Sequence, residues 1–221
     1  MPATRLPIFP LNTVLFPGAR MPLRIFEPRY RTMLRDCLDR DRVFGLIYRE
    51  ADADERALAS GTVGCRAHID DVEPLADGRA NIVVTGRERF VFTRIVDDDA
   101  PYFVAEVDAF DDSREPVAQV TALALRLREL FVEAAHAART IADEPISAPD
   151  FPDDPEAVAF AAASSIDLEL ADRQRLLSSP SPGARMRELI TVIDSSLPEL
   201  HARAESHRRA KLNGHGPKDA A

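Results

Sequence analysis

A glutamate, two arginines and a tyrosine stand close together near residue 30 and are the most distinctive chemical group in the sequence. They are Glu27, Arg29, Tyr30 and Arg31, with a proline between the glutamate and the first arginine. Proline suits the first turn of a helix, where the amide hydrogen that it lacks would have no partner. The group therefore marks a strand-to-helix junction. One carboxylate, two guanidinium groups and a phenol are suited to recognition, so we take these four residues as the candidate binding surface.

The same residues also have a purely structural interpretation. Glu27 can cap the helix or favour the positive end of its dipole. Arg29 can pair with a carboxylate, and Tyr30 can pack in the core as buried aromatic side chains commonly do. The sequence leaves both interpretations open.

Metal-ligating residues are present but are not arranged for coordination. A structural metal site needs three or four ligands in tetrahedral geometry. No such spacing with a third partner occurs among the five histidines, His68, His136, His201, His207 and His215. The acidic runs lack the closing glutamate and turn glycine of a calcium-binding loop. We predict no metal site, no cofactor and no catalytic residue.

The first half of the chain has the pattern of a small β-barrel. Short apolar or alternating segments predict six or seven strands and one helix near residues 28–39. Strands at such regular spacing are typical of a barrel that closes its own edges. Two of them, Asn81–Thr85 and Phe90–Val96, are expected on either side of Gly86.

The pattern changes at a polar joint, DDSREP, that begins at residue 111. Beyond it, Val117–Ile141 reads as a long amphipathic helix, and shorter helical segments follow. We therefore predict an α+β fold. It comprises a β-barrel subdomain at 1–112, a helical bundle subdomain at 113–202 and a disordered tail at 203–221.

Composition restricts the class of protein. The formal charge is -9, from 28 basic and 37 acidic residues. An acidic chain repels phosphate, so nucleic acid is not an expected partner. Cys37 and Cys65 have no CxxC spacing and are expected as reduced, buried thiols. The N-terminus lacks the apolar run of a signal peptide, and no segment approaches the roughly 18 apolar residues of a membrane span. We expect a cytoplasmic protein without membrane contact.

The segment Leu6–Leu34 reads LPIFPLNTVLFPGARMPLRIFEPRYRTML. It resembles the start of the amino-terminal, substrate-binding domain of Lon proteases, which has a Pro-Leu strand, an L-F-P-G turn, a P-L-x-I-F-E strand and P-R-Y-x-x-M opening a helix. All four elements occur here in that order. Later segments, GTVGC from residue 61, VVTGRERF from residue 83 and QRLL from residue 174, continue the resemblance. It covers about Arg5–Leu200.

The resemblance implies a PUA-like β pseudo-barrel followed by an α-helical bundle, in agreement with the strand and helix patterns. In full-length Lon this region engages unfolded or tagged protein substrates and helps oligomerisation. The Lon motor requires the phosphate-binding Walker A motif, and the peptidase requires a serine activated by a lysine. The sequence has no Gly-Lys dipeptide, and Lys211 and Lys218 lie in a polar tail that could not desolvate either amine. The resemblance therefore implies neither ATP hydrolysis nor proteolysis, and we predict that the chain is not an enzyme.

The sequence thus predicts a stand-alone, non-catalytic module that binds unfolded or hydrophobic peptide segments. It would act as an adaptor or regulator in protein quality control, with a separate protease as a further partner. We expect a monomer or a weak dimer. The alternative is a PUA-like RNA-binding module, which rests on fold analogy alone and predicts a basic groove with salt-sensitive affinity.

Overall fold

The computed structural model describes residues 4–54, 58–96, 99–147 and 149–213. The strands are β1 (Thr4–Leu11), β2 (Arg20–Ile25), β3 (Val43–Tyr48), β4 (Val63–Pro74), β5 (Ala80–Val96) and β6 (Phe103–Ala109). The helices are α1 (Pro28–Leu38), α2 (Val117–Ala142), α3 (Val158–Ser165), α4 (Leu170–Ser178) and α5 (Pro182–Asn213), with a short 3-10 helix at Pro155–Ala157.

Five strands form a closed ring in the order β5, β4, β3, β1, β6 and back to β5. The β1–β3 pair is parallel and the other pairs are antiparallel. The sixth strand, β2, lies outside this ring and pairs antiparallel with the first part of β5. Closure pairs the edges that an open sheet would leave exposed.

The two strands expected around Gly86 are a single strand, β5. The prediction was wrong because pairing with β4 continues through the glycine, which is opposite Ala67, and onward to Phe90, which is opposite Gly64. Glycine is required here by a close approach of two backbone segments. A Cβ atom on Gly86 would lie 2.1 Å from the carbonyl oxygen of Phe16.

Alternating side chains of the strands and one face of α1 fill the barrel. The helix contributes Tyr30, Met33, Leu34 and Cys37 to a buried apolar cluster of the barrel. In that cluster, Tyr30 packs against Phe9 with ring centroids 4.2 Å apart. The helix face therefore buries the residues that its 3.6-residue period predicts.

Two compact units make up the chain, and the boundary differs from the predicted one. The first unit contains residues 1–114 and also Ala163–Ser181, whereas the predicted barrel ended at residue 112 and left α4 in the bundle. The physical reason is a set of long-range hydrogen bonds. Gln174 Nε2 donates to Val63 O at 2.9 Å, and Arg89 Nη1 donates to Leu177 O at 2.7 Å.

The second unit contains α2, α5 and the segment between them up to Ala162. Its helices α2 and α5 pack along each other. The unit buries the guanidinium group of Arg185, which is 1% exposed and lies 4.3 Å from the ring centroid of Phe160. An aromatic face stabilises such a buried cation.

The tail predicted to be disordered from residue 203 is helical as far as Asn213. The prediction failed because this segment has partners within its own unit. Ala204 is 1% exposed, and His207 Nε2 lies 2.9 Å from a carboxylate oxygen of Asp143, which Lys211 also contacts. The rest of the predicted tail, 214–221, lies outside the described residues.

Within the described residues, no helix combines the length and the apolar character needed to cross a bilayer.

Candidate binding site

Glu27 and Arg29 form a half-exposed ion pair. Arg29 Nε and Nη2 donate to Glu27 Oε2 at 2.9 and 2.8 Å. Glu27 occupies the N-cap position of α1, but its side chain makes no capping hydrogen bond. The pairing suggested for Arg29 is therefore present, and side-chain capping by Glu27 is absent.

The other two candidate residues point to different places. Tyr30 is 2% exposed and belongs to the barrel core. The guanidinium of Arg31 lies against the β4–β5 turn, where a Cβ atom on Gly78 would come within 2.4 Å of Nη2. The four residues therefore do not share one exposed surface. The most exposed large side chain at this junction is Phe26, at 58%.

An open pocket of about 490 Å³ lies within the first unit. We call it the β3–α4 pocket, because the end of β3, the following loop, the start of β4 and α4 form its walls. Its lining residues are Tyr48, Arg49, Glu50, Ala53, Asp54, Leu58, Ala59, Ser60, Gly61, Thr62, Val63, Gln174 and Ser178. Pockets of about 300–1,000 Å³ are typical of ligand sites.

Gln174 connects α4 to the pocket wall. Its Nε2 donates to Val63 O at 2.9 Å and to Ser178 Oγ at 3.1 Å. Its Oε1 is buried and has no hydrogen-bond partner among the described residues. A buried acceptor left unpaired costs about 1–3 kcal/mol, so a hydrogen bond from a ligand to this oxygen would be favourable.

Arg49 holds the loop on the other side of the pocket. Its Nη1 donates to the carbonyl oxygens of Glu50 and Ala51, both at 3.0 Å, and to that of Ala53. Its Nε is buried without a partner in the part of the chain that the structure describes. The residues that line the pocket thus include a buried donor, Arg49 Nε, and a buried acceptor, Gln174 Oε1, that have no hydrogen-bond partner among the described residues.

The remaining lining combines apolar and acidic groups. Leu58, Ala59 and Val63 supply apolar surface, and the carboxylates of Glu50 and Asp54 lie beside them. The sequence did not reveal this site because residues from segments more than a hundred positions apart form it. Its only local signal was a polar loop of residues 51–60 before the glycine at the start of β4.

Both thiols are buried and unpaired with each other. Burial raises the pKa of Cys37 and of Cys65 to about 12 in each case. Both residues are at most 2% exposed, and their sulfurs lie 3.4 Å from the carbonyl oxygens of Val43 and Arg87. Since the thiolate is the reactive form, neither thiol is a nucleophile at neutral pH.

We therefore expect neither cysteine of the folded chain to react with a thiol reagent at pH 8, and both to react in concentrated urea. The folded state holds these protons more tightly than the unfolded state. Their contribution to stability is thus complete below the unfolded thiol pKa of about 8.5, and it declines as the pH rises above that value. A colorimetric thiol titration with and without urea checks the first point, and urea unfolding at pH 8 and pH 10 checks the second. Rapid labelling of the folded chain at pH 8 would contradict the expectation that both thiols are unreactive.

Among the described residues, no group of three histidine, cysteine, aspartate or glutamate side chains is placed to hold a metal ion.

The fold of this chain, a β pseudo-barrel followed by helices, is similar to that of solved Lon N-terminal domains. The Lon N-terminal domain protein from Xanthomonas campestris has a TM-score of 0.58 and 26% identity, covering 85% of this chain and 98% of that one. The N-terminal domain of Mycobacterium avium complex Lon protease has a TM-score of 0.65 at 20% identity, covering 86% of this chain and 98% of that one. The predicted α+β fold, a PUA-like pseudo-barrel followed by helices, is confirmed.

Residues 5–195 match the substrate-binding domain of ATP-dependent protease La (LON), and the chain belongs to this family. Lon protease 2 of Myxococcus xanthus is 30% identical over 200 residues, which are 86% of this chain and 23% of that protein. Lon protease of Xanthomonas oryzae pv. oryzae is 29% identical over 197 residues, 87% and 23% of the two chains. The chain thus spans about a quarter of the length of these curated relatives. The resemblance drawn from the sequence is confirmed.

Proposed function

We propose that the chain is a non-catalytic module that binds unfolded or hydrophobic peptide segments of other proteins in the β3–α4 pocket. The observation that carries this proposal is a pocket of about 490 Å³ in the barrel unit of a substrate-binding family member. Its mixed lining, apolar walls with a few hydrogen-bonding groups, is the usual composition of a site that binds organic ligands.

An extended peptide carries backbone donors and acceptors that can pair with the polar atoms of the pocket lining. Each residue of a peptide carries one N–H donor and one C=O acceptor. Arg49 Nε could donate to a peptide carbonyl, and Gln174 Oε1 could accept from a peptide amide. Both atoms are shielded from solvent in this conformation, so binding requires a small side-chain movement. Leu58 and Ala59 would contact an apolar side chain of the bound segment.

The proposed role is that of an adaptor. The curated relatives are Lon proteases, and this chain matches the part of them named for substrate binding. A module that binds peptides and has no catalytic machinery of its own would present them to a separate protease. Glu27, Arg29 and Arg31 remain a secondary proposal for contact with that partner, as separate residues and not as one surface, because Tyr30 is buried and Arg31 lies against the β4–β5 turn.

Filling the pocket is expected to weaken peptide binding at least about tenfold, or 1.4 kcal/mol. Ala59 is exposed and lines the pocket, so Ala59→Trp should occupy it without disturbing the core. The matched control is Ala76→Trp in the β4–β5 turn, which is also exposed and does not line the pocket. Fluorescence anisotropy of a labelled, permanently unfolded protein such as reduced casein measures both variants.

The outcomes separate the two parts of the proposal. Absence of saturable binding by the unaltered chain would reject the function. Equal binding by Ala59→Trp and Ala76→Trp would retain the function but place the site elsewhere.

The alternative function, RNA binding, requires a basic groove. The β3–α4 pocket instead carries Glu50 and Asp54, whose carboxylates repel phosphate. A gel-shift assay with structured RNA at low salt is expected to show no saturable complex, and a salt-sensitive complex would favour the alternative.

A further inference from the structure

The sheet formed by β2, β5 and β4 has one face toward the core and one face outward. Successive side chains of a strand alternate between the faces, and Ile25, Ile82, Val84 and Ile69 are buried on the inner one. The strand register arranges the outward side chains in three cross-strand rows, Arg20–Thr85–His68, Pro22–Val83–Asp71 and Arg24–Asn81–Glu73. None of these nine residues is buried. We call this surface the outer sheet face.

Charge on the outer sheet face is separated into two lines. Arg20 and Arg24 lie along β2, whereas Asp71 and Glu73 lie along β4. Between the two lines, β5 presents Val83 with the polar Thr85 and Asn81 on either side, and Pro22 adjoins Val83 on β2. A shallow depression of about 290 Å³ lies over Pro22 and Val83. The face is thus positive on one side, uncharged in the middle with an apolar centre at Val83, and negative on the other side.

A further carboxylate adds to the negative line. Asp70 lies at an irregularity of β4, where Thr85 Oγ1 donates to its Oδ2 at 2.5 Å and His68 Nδ1 lies 3.0 Å from its Oδ1. The hydrogen bonds from Thr85 and His68 and the charge of Arg20 lower the pKa of Asp70. This carboxylate therefore stays ionised at neutral pH, and the negative line extends along β4.

We propose that the outer sheet face pairs with the same face of a second copy of this chain. A twofold axis parallel to β5 exchanges the two sides of the face, so the basic line of each copy would lie over the acidic line of the other. The row that contains Arg24 and Glu73 would then form two equivalent contacts, Arg24 of each copy with Glu73 of the other. Val83 of the two copies would meet at the axis. Such self-complementarity is the requirement for a closed, isologous dimer.

The charge pattern favours a second copy over a partner of uniform charge. A basic partner attracted by Asp71 and Glu73 would be repelled by the arginines of β2. An acidic partner attracted by those arginines would be repelled by Asp71 and Glu73. Like charges placed together across an interface cost several kcal/mol. In the rotated face of the chain itself, Arg24 would meet Glu73 and Arg20 would meet the end of the acidic line at His68 and Asp70, whereas Asp71 would lie over Pro22. This inference does not depend on the proposed peptide-binding function.

The size of the face predicts a weak dimer. Strands lie about 4.8 Å apart and rise about 3.3 Å per residue, so three strands paired over six residues cover roughly 300 Å². A standard interface buries about 800 Å² per partner. The dimer should therefore form only at high concentration, and salt should weaken it because its charged lines are exposed.

Sedimentation equilibrium up to about 1 mM protein, at low and high salt, tests the inference. We expect a concentration-dependent dimer in low salt. Arg24→Glu alone and Glu73→Arg alone should each lower the association constant at least about tenfold, because each change places like charges together twice. The double variant Arg24→Glu/Glu73→Arg should restore the association. These side chains are exposed, and circular dichroism verifies that each variant is folded.

Arg94→Glu is the matched control. Arg94 is an exposed arginine of β5 that pairs with Glu106 of β6, away from the outer sheet face. The Arg94→Glu variant should have the same association constant as the unaltered chain. A chain that is monomeric at every concentration would overturn the inference. A dimer that is insensitive to both single reversals, or a double variant that is not restored, would also overturn it.

Discussion

Replacing Arg89 by alanine is expected to lower the free energy of unfolding by about 3–5 kcal/mol, the range for removing one partner from a buried charged network. Arg89 is 6% exposed, and its Nη1 donates to the carbonyl oxygens of Leu177 and Ser179 at 2.7 and 2.8 Å. Its Nη2 pairs with the carboxylate of Asp112, and its guanidinium lies 4.6 Å from the ring centroid of Phe110. Alanine would leave these groups without their donor.

Urea unfolding followed by circular dichroism measures this loss, which suits a chain without tryptophan. Arg87→Ala is the matched control, because Arg87 is exposed on the same strand. It should change stability by less than about 0.5 kcal/mol. Arg89→Lys should recover only part of the loss, since lysine keeps the charge but not the planar set of donors. Similar losses for Arg87→Ala and Arg89→Ala would contradict the structural role of Arg89.

Replacing Gly86 by alanine is expected to lower the free energy of unfolding by about 3 kcal/mol or more, which is at the upper end for overpacking a core. The added methyl group would lie 2.1 Å from the carbonyl oxygen of Phe16, so backbone must move to admit it. The two segments are also joined by hydrogen bonds. Gly86 donates to Ala19 O and accepts from Gly18 N, both at 2.9 Å. Movement would therefore strain the contact between β5 and the turn before β2.

Gly18→Ala provides the comparison for Gly86→Ala. Gly18 belongs to the same contact and has a φ of +78°, but a Cβ atom there would meet nothing within 4 Å. Replacing Gly18 by alanine should lower the free energy of unfolding by only about 1–2 kcal/mol, because alanine disfavours the left-handed conformation by about that amount. Urea unfolding of both variants separates steric exclusion from backbone conformation. Equal losses would show that the approach of Phe16 to Gly86 is not sterically tight.

At the candidate binding surface, the sequence predicted the local backbone structure but not the directions of the side chains. The four residues at 27–31 were correctly placed at a strand-to-helix junction, because proline position and helical periodicity are local signals. Their directions were not available from spacing alone. Tyr30 turns into the core beside Phe9, whereas Arg31 lies against Gly78. Adjacent residues at such a junction diverge because the helix rotates each side chain by about 100° from the last.

By itself, the sequence determined the family, the order of strands and helices, and the buried face of α1. These properties depend on short motifs and on periods of two or 3.6 residues. Only the tertiary structure decided that α4 belongs to the barrel unit, that β5 continues through Gly86 and that a pocket lies beside Gln174. Each of these features rests on a contact between distant residues, such as Gln174 with Val63 across 111 positions. Such hydrogen bonds produce no periodic pattern in the sequence, because the packing of the strands and helices determines which residues become partners.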